Sequence, residues 1–169
     1  MAKTPAKSSY RNLLRMRIPC AGEPVFKARA RLAKAARGLG FRGETLDGIL
    51  LAFTEAVTNA VIHGSAPSCR CVRAHVGLEN GRLIIDVIDH GRGFHPDAVE
   101  LPPLDCMCEG GRGLFLMRAL MDDVEWTPTA SGTTVRMTKC CASVPPLADP
   151  APAAAVAANA PATPLPASN

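Results

Sequence analysis

The ten residues EAVTNAVIHG, from Glu55 to Gly64, carry the most informative pattern in this chain. Glu55, Asn59 and His63 recur every four residues, so a helix of about 3.6 residues per turn places their side chains along one face. A carboxylate in such a row can accept a proton, and an amide oxygen can bind a hard cation such as Mg²⁺. The pattern therefore predicts a helix with a chemical role, which ends at Gly64 as helices commonly end at a glycine.

The apolar residues around this run predict that the opposite face of the helix is buried. Between Glu44 and His63 they recur at intervals of three and four: Leu46, Ile49, Leu50, Phe53, Val57 and Ala60. Asparagine is unfavourable in the middle of a helix unless its side chain has a task, and this favours a functional Asn59. His63 is better explained as a helix-end residue than as a catalyst.

The segments on either side predict the remaining helices and strands. Alternating apolar and basic residues from Leu13 to Ile18 favour an edge strand, and Asn80-Gly81 between two β-patterned runs is a strong hairpin signal. In chain order we expect a strand at 13–18, helices at 24–39 and 44–63, strands at 71–78 and 83–89, a long loop at 90–110, a helix at 113–121, and strands at 124–127 and 133–139. This order predicts an α+β fold, a two-layer sandwich in which three helices cover one face of a mixed, mostly antiparallel sheet of about five strands.

Composition divides the chain into three parts. We expect residues 1–12 to form a disordered basic arm, residues 13–140 the folded domain, and residues 141–169 a disordered tail. Ala and Pro supply 18 of the 28 residues from Ala142 to Asn169, which leaves the tail little to bury. The N-terminal residues lack the apolar stretch of a signal peptide, and no uninterrupted apolar run reaches the roughly 18 residues of a membrane helix. We therefore expect a cytoplasmic protein that does not bind membranes.

Basic residues concentrate near the start of the chain. Residues 1–37 carry ten Lys and Arg against one Glu, a net charge of +9, whereas the rest carries nine against fourteen acidic residues, a net charge of −5. This asymmetry suits an acidic partner protein, or simply a solvated helix face, and we expect no direct nucleic-acid binding. The seven cysteines lack the spacing of a zinc site, so we expect free thiols.

Two glycine-rich segments follow the Glu55–Gly64 run. The first, Asp89-His90-Gly91-Arg92-Gly93, ends an apolar strand; its carboxylate can accept a hydrogen bond from the exocyclic amine of a base, and its glycines let the backbone approach a planar ring. The second, Gly110-Gly111-Arg112-Gly113-Leu114, opens a helix whose free amides can hold an anion. Each segment alone is weak evidence, but the three motifs together indicate a nucleotide site.

In order and spacing these motifs resemble those of the anti-sigma-factor serine kinases of the bacterial stress and sporulation switches. That family belongs to the superfamily shared by gyrase, MutL, a heat-shock chaperone and the histidine kinases, whose ATP-binding fold is of the Bergerat type. EAVTNAVIHG resembles the N box, DHGRG the first glycine box, GGRGLFLMRALMDDVEW the second and SGTTVRMTK the closing strand. The resemblance covers roughly Leu13 to Lys139.

The resemblance implies a role for each matching position. Glu55 would be the catalytic base, Asn59 would bind the Mg²⁺ that bridges the phosphates of ATP, and Asp89 would bind the adenine amine. The other nucleotide-binding residues would be Gly91 and Gly93 beside the ring, Thr133 in support, and Gly111, Arg112 and Gly113 along the phosphates. The implied partners are a sigma factor and an anti-anti-sigma protein of the STAS type, and a homodimer is a further expectation.

Two features depart from the family pattern. Sporulation-type members carry an arginine shortly before the second glycine box, where this chain has Glu109, and Cys106 and Cys108 have no counterpart in the family. These departures leave open an ATP-binding module that regulates by partner exchange without transferring phosphate. A detached histidine-kinase catalytic domain is a third alternative, less favoured because no phosphoacceptor helix accompanies it.

Overall fold

The computed structural model describes residues 10–20, 24–63, 71–91, 112–129 and 132–141. Within them lie eight helices and strands in the expected order: β1 (Tyr10–Pro19), α1 (Pro24–Gly38), α2 (Gly43–His63), β2 (Cys71–Glu79), β3 (Arg82–Ile88), α3 (Arg112–Leu120), β4 (Asp123–Thr129) and β5 (Gly132–Cys140). Most of the predicted long loop, of the predicted arm and of the predicted tail lies outside the described residues.

The five strands form one sheet in the order β1-β2-β3-β5-β4. The α+β fold class is confirmed, but all four neighbouring pairs of described strands are antiparallel, whereas we expected a mixed sheet. The reason is the position of β5, which runs antiparallel to both β3 and β4 and separates these two parallel strands. No parallel ladder is therefore needed among the described strands, although α3 connects β3 to β4.

The turn between β2 and β3 fixes the register of the central strands. Asn80 and Gly81 both have positive φ angles, 49° and 74°, as a two-residue turn that matches the twist of the flanking strands requires. Glu79 pairs with Arg82 beside the turn, and Leu78 with Leu83 one step further. The hairpin predicted at Asn80-Gly81 is thus present.

The inner face of the sheet is apolar and carries the three helices. Alternate residues of β2 and β3 point into this layer, and the cross-strand partners Val76 and Ile85 are completely buried. In the other layer α1 packs on β1, α2 on β2 and β3, and α3 on β4. Burial of this continuous apolar surface is the main force that holds the two layers together.

Helix α2 is the centre of the helical layer. It contacts both other helices, and its residues Ile49, Phe53 and Val57 have no exposed surface. By length and composition alone its segment Gly43–Ile62 could cross a membrane, but half of that segment is buried inside the domain. The apolar composition of α2 is therefore explained by its place in the core.

The outer face of the sheet carries an ion pair between β3 and β5. Asp86 of β3 and Arg136 of β5 are directly opposite and form a bidentate ion pair, with Nε–Oδ1 and Nη2–Oδ2 distances of 2.7 and 3.0 Å. The hydrogen bond to Asp86 raises the pKa of Arg136. Beside this pair the Tyr10 ring lies across Gly77, where an added Cβ would overlap it. Partial burial, and next the charge of Asp86, raises the pKa of Tyr10.

The folded domain is longer than predicted at both ends. Strand β1 begins at Tyr10, inside the predicted arm, because its first three residues continue the ladder with β2 from Tyr10–Glu79 to Asn12–Gly77. At the other end Cys141, assigned to the tail, is buried, and its N–H donates to the Gly81 carbonyl at 2.9 Å. Burial raises the pKa of the Cys141 thiol. Cys140, beside it, is exposed and has a free thiol.

The contact between Tyr10 and Gly77 generates a prediction for stability. Gly77→Ala should destabilise the domain by about 1–3 kcal/mol, because the new methyl group must displace the Tyr10 ring. In a Tyr10→Ala background the same substitution should cost much less, since glycine is itself unfavourable in a strand. Urea unfolding of the wild type, both single variants and the double variant measures this coupling. An equal cost of Gly77→Ala in both backgrounds would contradict the prediction.

Candidate functional site

Glu55 and Asn59 lie one turn apart on α2, and both reach the first turn of α3. A Cβ added to Gly113 would be 2.8 Å from Glu55 Oε2, 3.2 Å from Asn59 Nδ2 and 3.7 Å from Asn59 Oδ1. Both side chains are partly exposed, so they are accessible to a ligand. The lack of a side chain at Gly113 is therefore what allows the carboxylate and the amide to meet the α3 backbone.

The start of α3 is also an electrostatic feature of this site. The first N–H groups of a helix have no intrahelical acceptors, and the helix dipole makes this end positive. The first turn of α3 contains no acidic residue of its own. Glu55 of α2 places a carboxylate beside this turn, and the free N–H groups there can also bind an anionic ligand.

Asp89 directly follows β3 and is held in place by backbone groups. Its Oδ1 accepts hydrogen bonds from the N–H of Gly91 at 2.8 Å and of Thr133 at 3.0 Å. The N–H of Asp89 in turn donates to the Thr133 carbonyl at 3.0 Å. Asp89 is only 9% exposed and Thr133 only 3%. Among the described residues, both hydrogen bonds to this carboxylate end on Oδ1, which makes Oδ2 the candidate acceptor for a ligand.

Gly132 is a site residue that the sequence reasoning missed. Its φ of 137° is unfavourable for other residues, and an added Cβ would overlap the Asp89 carbonyl and lie 2.8 Å from His90 Cα. Gly132 thus lets β5 pass close to the chain at Asp89. The available signal was its position directly before Thr133 in the SGTTVRMTK run, but the resemblance assigned a role to Thr133 and none to Gly132.

The structure gathers the predicted site residues into two groups. Glu55, Asn59 and Gly113 form one group between α2 and α3, and Asp89, Gly91 and Thr133 form the other at the end of β3. Arg112 is exposed at the start of α3. The remaining residues singled out in the sequence lie outside the described residues: Gly93, Gly111, Glu109, Cys106, Cys108 and the side chain of His63.

The donor chemistry of the first group fits a magnesium ion. Mg²⁺ prefers oxygen ligands, keeps several waters, and is usually bound through one or two protein oxygens together with substrate phosphates. Asn59 supplies one amide oxygen beside Gly113, where no side chain fills the space. Phosphate oxygens at the start of α3 would supply further ligands.

Comparison with known proteins supports a nucleotide-dependent function. Residues 19–139 match the family described as histidine kinase-like ATPase domain. The chain is 35% identical over 135 residues to the serine-protein kinase RsbW of Bacillus velezensis, a match that covers 75% of this chain and 84% of that protein. RsbW of Bacillus pumilus is 36% identical over 139 residues, with 76% and 85% covered. RsbW of Bacillus subtilis is 34% identical over 135 residues, with 75% and 84% covered.

A solved structure supports the fold independently. The crystal structure of the RsbU and RsbW domains of a Mycobacterium tuberculosis protein superposes with a TM-score of 0.58 at 24% identity. The match covers 75% of this chain and 31% of that longer chain. At this identity the likeness shows the shared fold alone, whereas the family follows from the sequence matches. The chain therefore belongs to the histidine kinase-like ATPase family, in the branch of the serine-protein kinases RsbW.

Proposed function

We propose that this protein is an ATP- and Mg²⁺-dependent protein serine kinase that acts as an anti-sigma factor. The observation that carries the proposal is the meeting of Glu55 and Asn59 at Gly113, beside the free N–H groups of α3. This group combines a proton acceptor, an oxygen ligand for a hard cation and an anion-binding helix end. Phosphoryl transfer needs little else, because its catalysis consists mostly of positioning and of neutralising charge.

In the proposed reaction the Asp89 group binds the adenine of ATP, and the Gly113 group binds its phosphates and accepts a proton. Oδ2 of Asp89 accepts a hydrogen bond from the exocyclic amine of adenine, while Gly91 and Thr133 hold the carboxylate in place. Asn59 and the start of α3 would hold the triphosphate with its Mg²⁺, which would neutralise charge on the phosphates. Glu55 takes the proton of a serine hydroxyl, and the serine oxygen bonds to the γ-phosphorus. The bond between the γ-phosphorus and the oxygen that bridges it to the β-phosphate breaks, and ADP leaves with that oxygen.

The proposed partners follow from the family resemblance. The kinase would phosphorylate an anti-anti-sigma protein of the STAS type and would otherwise bind and sequester a sigma factor in the cytoplasm. A homodimer is a further proposed assembly. Its basic α1 and β1, which carry exposed residues such as Arg17, Lys34 and Arg37, suit an acidic protein surface. Phosphate transfer from labelled ATP to a STAS-type protein of the same organism is the direct test.

Replacing Asp89 tests the adenine assignment. In Asp89→Asn the amide oxygen is retained by the two backbone N–H donors, so the NH₂ group points where Oδ2 was and opposes the adenine amine. Loss of a charged hydrogen bond should weaken ATP binding by about 1.5–3 kcal/mol. Titration calorimetry with Mg·ATP measures the change, and Asp47→Asn on the exposed side of α2 is the matched control. Unchanged affinity in Asp89→Asn would remove Asp89 from the adenine site.

Replacing Glu55 separates catalysis from binding. Glu55→Gln keeps the size of the side chain but is a poor proton acceptor, so Mg·ATP binding should persist while transfer falls by roughly 10²–10⁴-fold. Single-turnover transfer to the STAS-type protein gives the rate. Equal rates in variant and wild type would show that Glu55 is not the base. If the wild type binds ATP but transfers nothing to its partners, the protein is instead an ATP-binding module that works by partner exchange.

Adding one methyl group at the meeting point tests its geometry. Gly113→Ala places a Cβ 2.8 Å from Glu55 Oε2, so the carboxylate or α3 must move. Transfer should fall roughly 10–100-fold, because small misplacements of reacting groups are costly. The fold should survive, since alanine favours helix. Gly38→Ala at the end of α1, where an added Cβ meets nothing within 4 Å, is the matched control. A Gly113→Ala rate equal to that of Gly38→Ala would refute the assignment.

A further inference from the structure

The end of α3 is tied to β5 by a compact hydrogen-bond network. Lys139 Nζ donates to the carbonyl of Leu120, the last residue of α3, at 3.0 Å and to Asp122 Oδ1 at 2.7 Å. The other carboxylate oxygen of Asp122 accepts from the N–H of Cys140 at 2.7 Å. The N–H of Asp122 donates to the Thr138 carbonyl at 2.9 Å. We call Lys139, Asp122 and the Leu120 carbonyl the α3 clamp.

The chemistry of the clamp suits a helix end. The last carbonyls of a helix have no intrahelical donors, and a cation there also complements the helix dipole. Burial alone would raise the pKa of Asp122, but the hydrogen bonds from Lys139 and from the Cys140 N–H outweigh it and lower the pKa. Asp122 therefore stays charged at neutral pH and keeps Lys139 in place.

Helix α3 depends on such support because it is short. It has nine residues, and its buried side chains are those of Leu114 and Met117. Isolated helices of this length are marginal in water, so neighbouring elements must fix its position. At its C-terminal end Leu120 packs closely on α2, with Cδ2 3.2 Å from where a Cβ of Gly48 would lie. At its other end Gly113 meets Glu55 and Asn59.

Strand β5 connects both groups of the candidate site. The N–H of Thr133, its second residue, donates to Asp89. Near its other end Lys139 donates to the Leu120 carbonyl of α3, and the Cys140 N–H donates to Asp122. A short helix moves as one body, so the hold on Leu120 also sets where Gly113 lies. One strand thereby positions the proposed adenine group and the proposed phosphate group relative to each other.

We propose that Lys139 and Asp122 are positioning residues for the nucleotide, which fix α3 on β5 and so set the spacing between the Asp89 group and the Gly113 group. The inference rests on the proposed function, because it takes these two groups to bind the two ends of ATP. A ligand that spans both groups depends on the spacing, whereas a ligand that fills the Asp89 group alone does not. Loss of the clamp must therefore weaken Mg·ATP more than AMP.

The test compares these two ligands on the full-length chain. NMR titration gives dissociation constants for Mg·ATP and for AMP, including weak ones, in the wild type and in Lys139→Met. We expect the affinity for Mg·ATP to fall roughly tenfold and that for AMP to change less than about twofold, because the misplacement falls on the phosphate end. Lys139→Arg should restore Mg·ATP binding, since a guanidinium can donate to Leu120 and Asp122 together. Lys34→Met, on the exposed face of α1, is the matched control.

The outcomes separate the clamp from the proposed function. Equal weakening of both ligands, or no weakening of either, overturns the clamp while leaving ATP binding established. A wild type that binds no Mg·ATP overturns the proposed function and the clamp with it. If Lys139→Met does not fold, Asp122→Asn takes its place, because this substitution retains the shape of the side chain at a partly exposed site. It must then show the same selective loss of Mg·ATP binding, or the inference is wrong.

Discussion

The close approach of α3 to α2 is the constraint on which the rest of this site depends. It is possible because Gly48 and Gly113 leave room at the two ends of the contact, where added Cβ atoms would lie 3.2 Å from Leu120 and 2.8 Å from Glu55. Two long side chains would separate the helices and remove the free N–H groups of α3 from Glu55 and Asn59. The proposed chemistry therefore depends on the absence of side chains at Gly48 and Gly113 as much as on the carboxylate of Glu55 and the amide of Asn59.

Helix α2 serves the core and the site at once. Its buried residues Ile49, Phe53 and Val57 lock the helix on the sheet, so that the side chains on its other face start from a fixed backbone. Glu55 and Asn59 consequently need little reorganisation to meet a ligand, which is the condition for efficient electrostatic catalysis. The buried apolar face of α2 thus fixes the backbone that carries Glu55 and Asn59 on its other face.

The features that could be predicted from the sequence are those that depend on residues close together in the chain. The row of Glu55 and Asn59 and the Asn80-Gly81 turn follow from helix and turn geometry, and both are present in the structure. The missed features depend on partners that are distant in sequence. Strand β1 starts early because residues 10–12 pair with Gly77–Glu79 of β2, and Gly132 matters only because folding brings it to Asp89. Likewise nothing in the local sequence shows that Lys139 donates a hydrogen bond to Leu120, the last residue of α3, nineteen positions earlier in the chain.

The two halves of the site differ in how firmly the fold holds them. Asp89 is buried at the end of β3 beside the start of β5. Its carboxylate accepts two backbone hydrogen bonds and its N–H donates a third, so its position is set by the sheet itself. Gly113 belongs to a nine-residue helix that is held by its packing on α2 and by the hydrogen bonds at its far end. Segments with fewer buried contacts open at lower free energy. The Asp89 group is therefore the more firmly fixed part of the candidate site, and the Gly113 group is the part that depends on the packing and hydrogen bonds of a short helix.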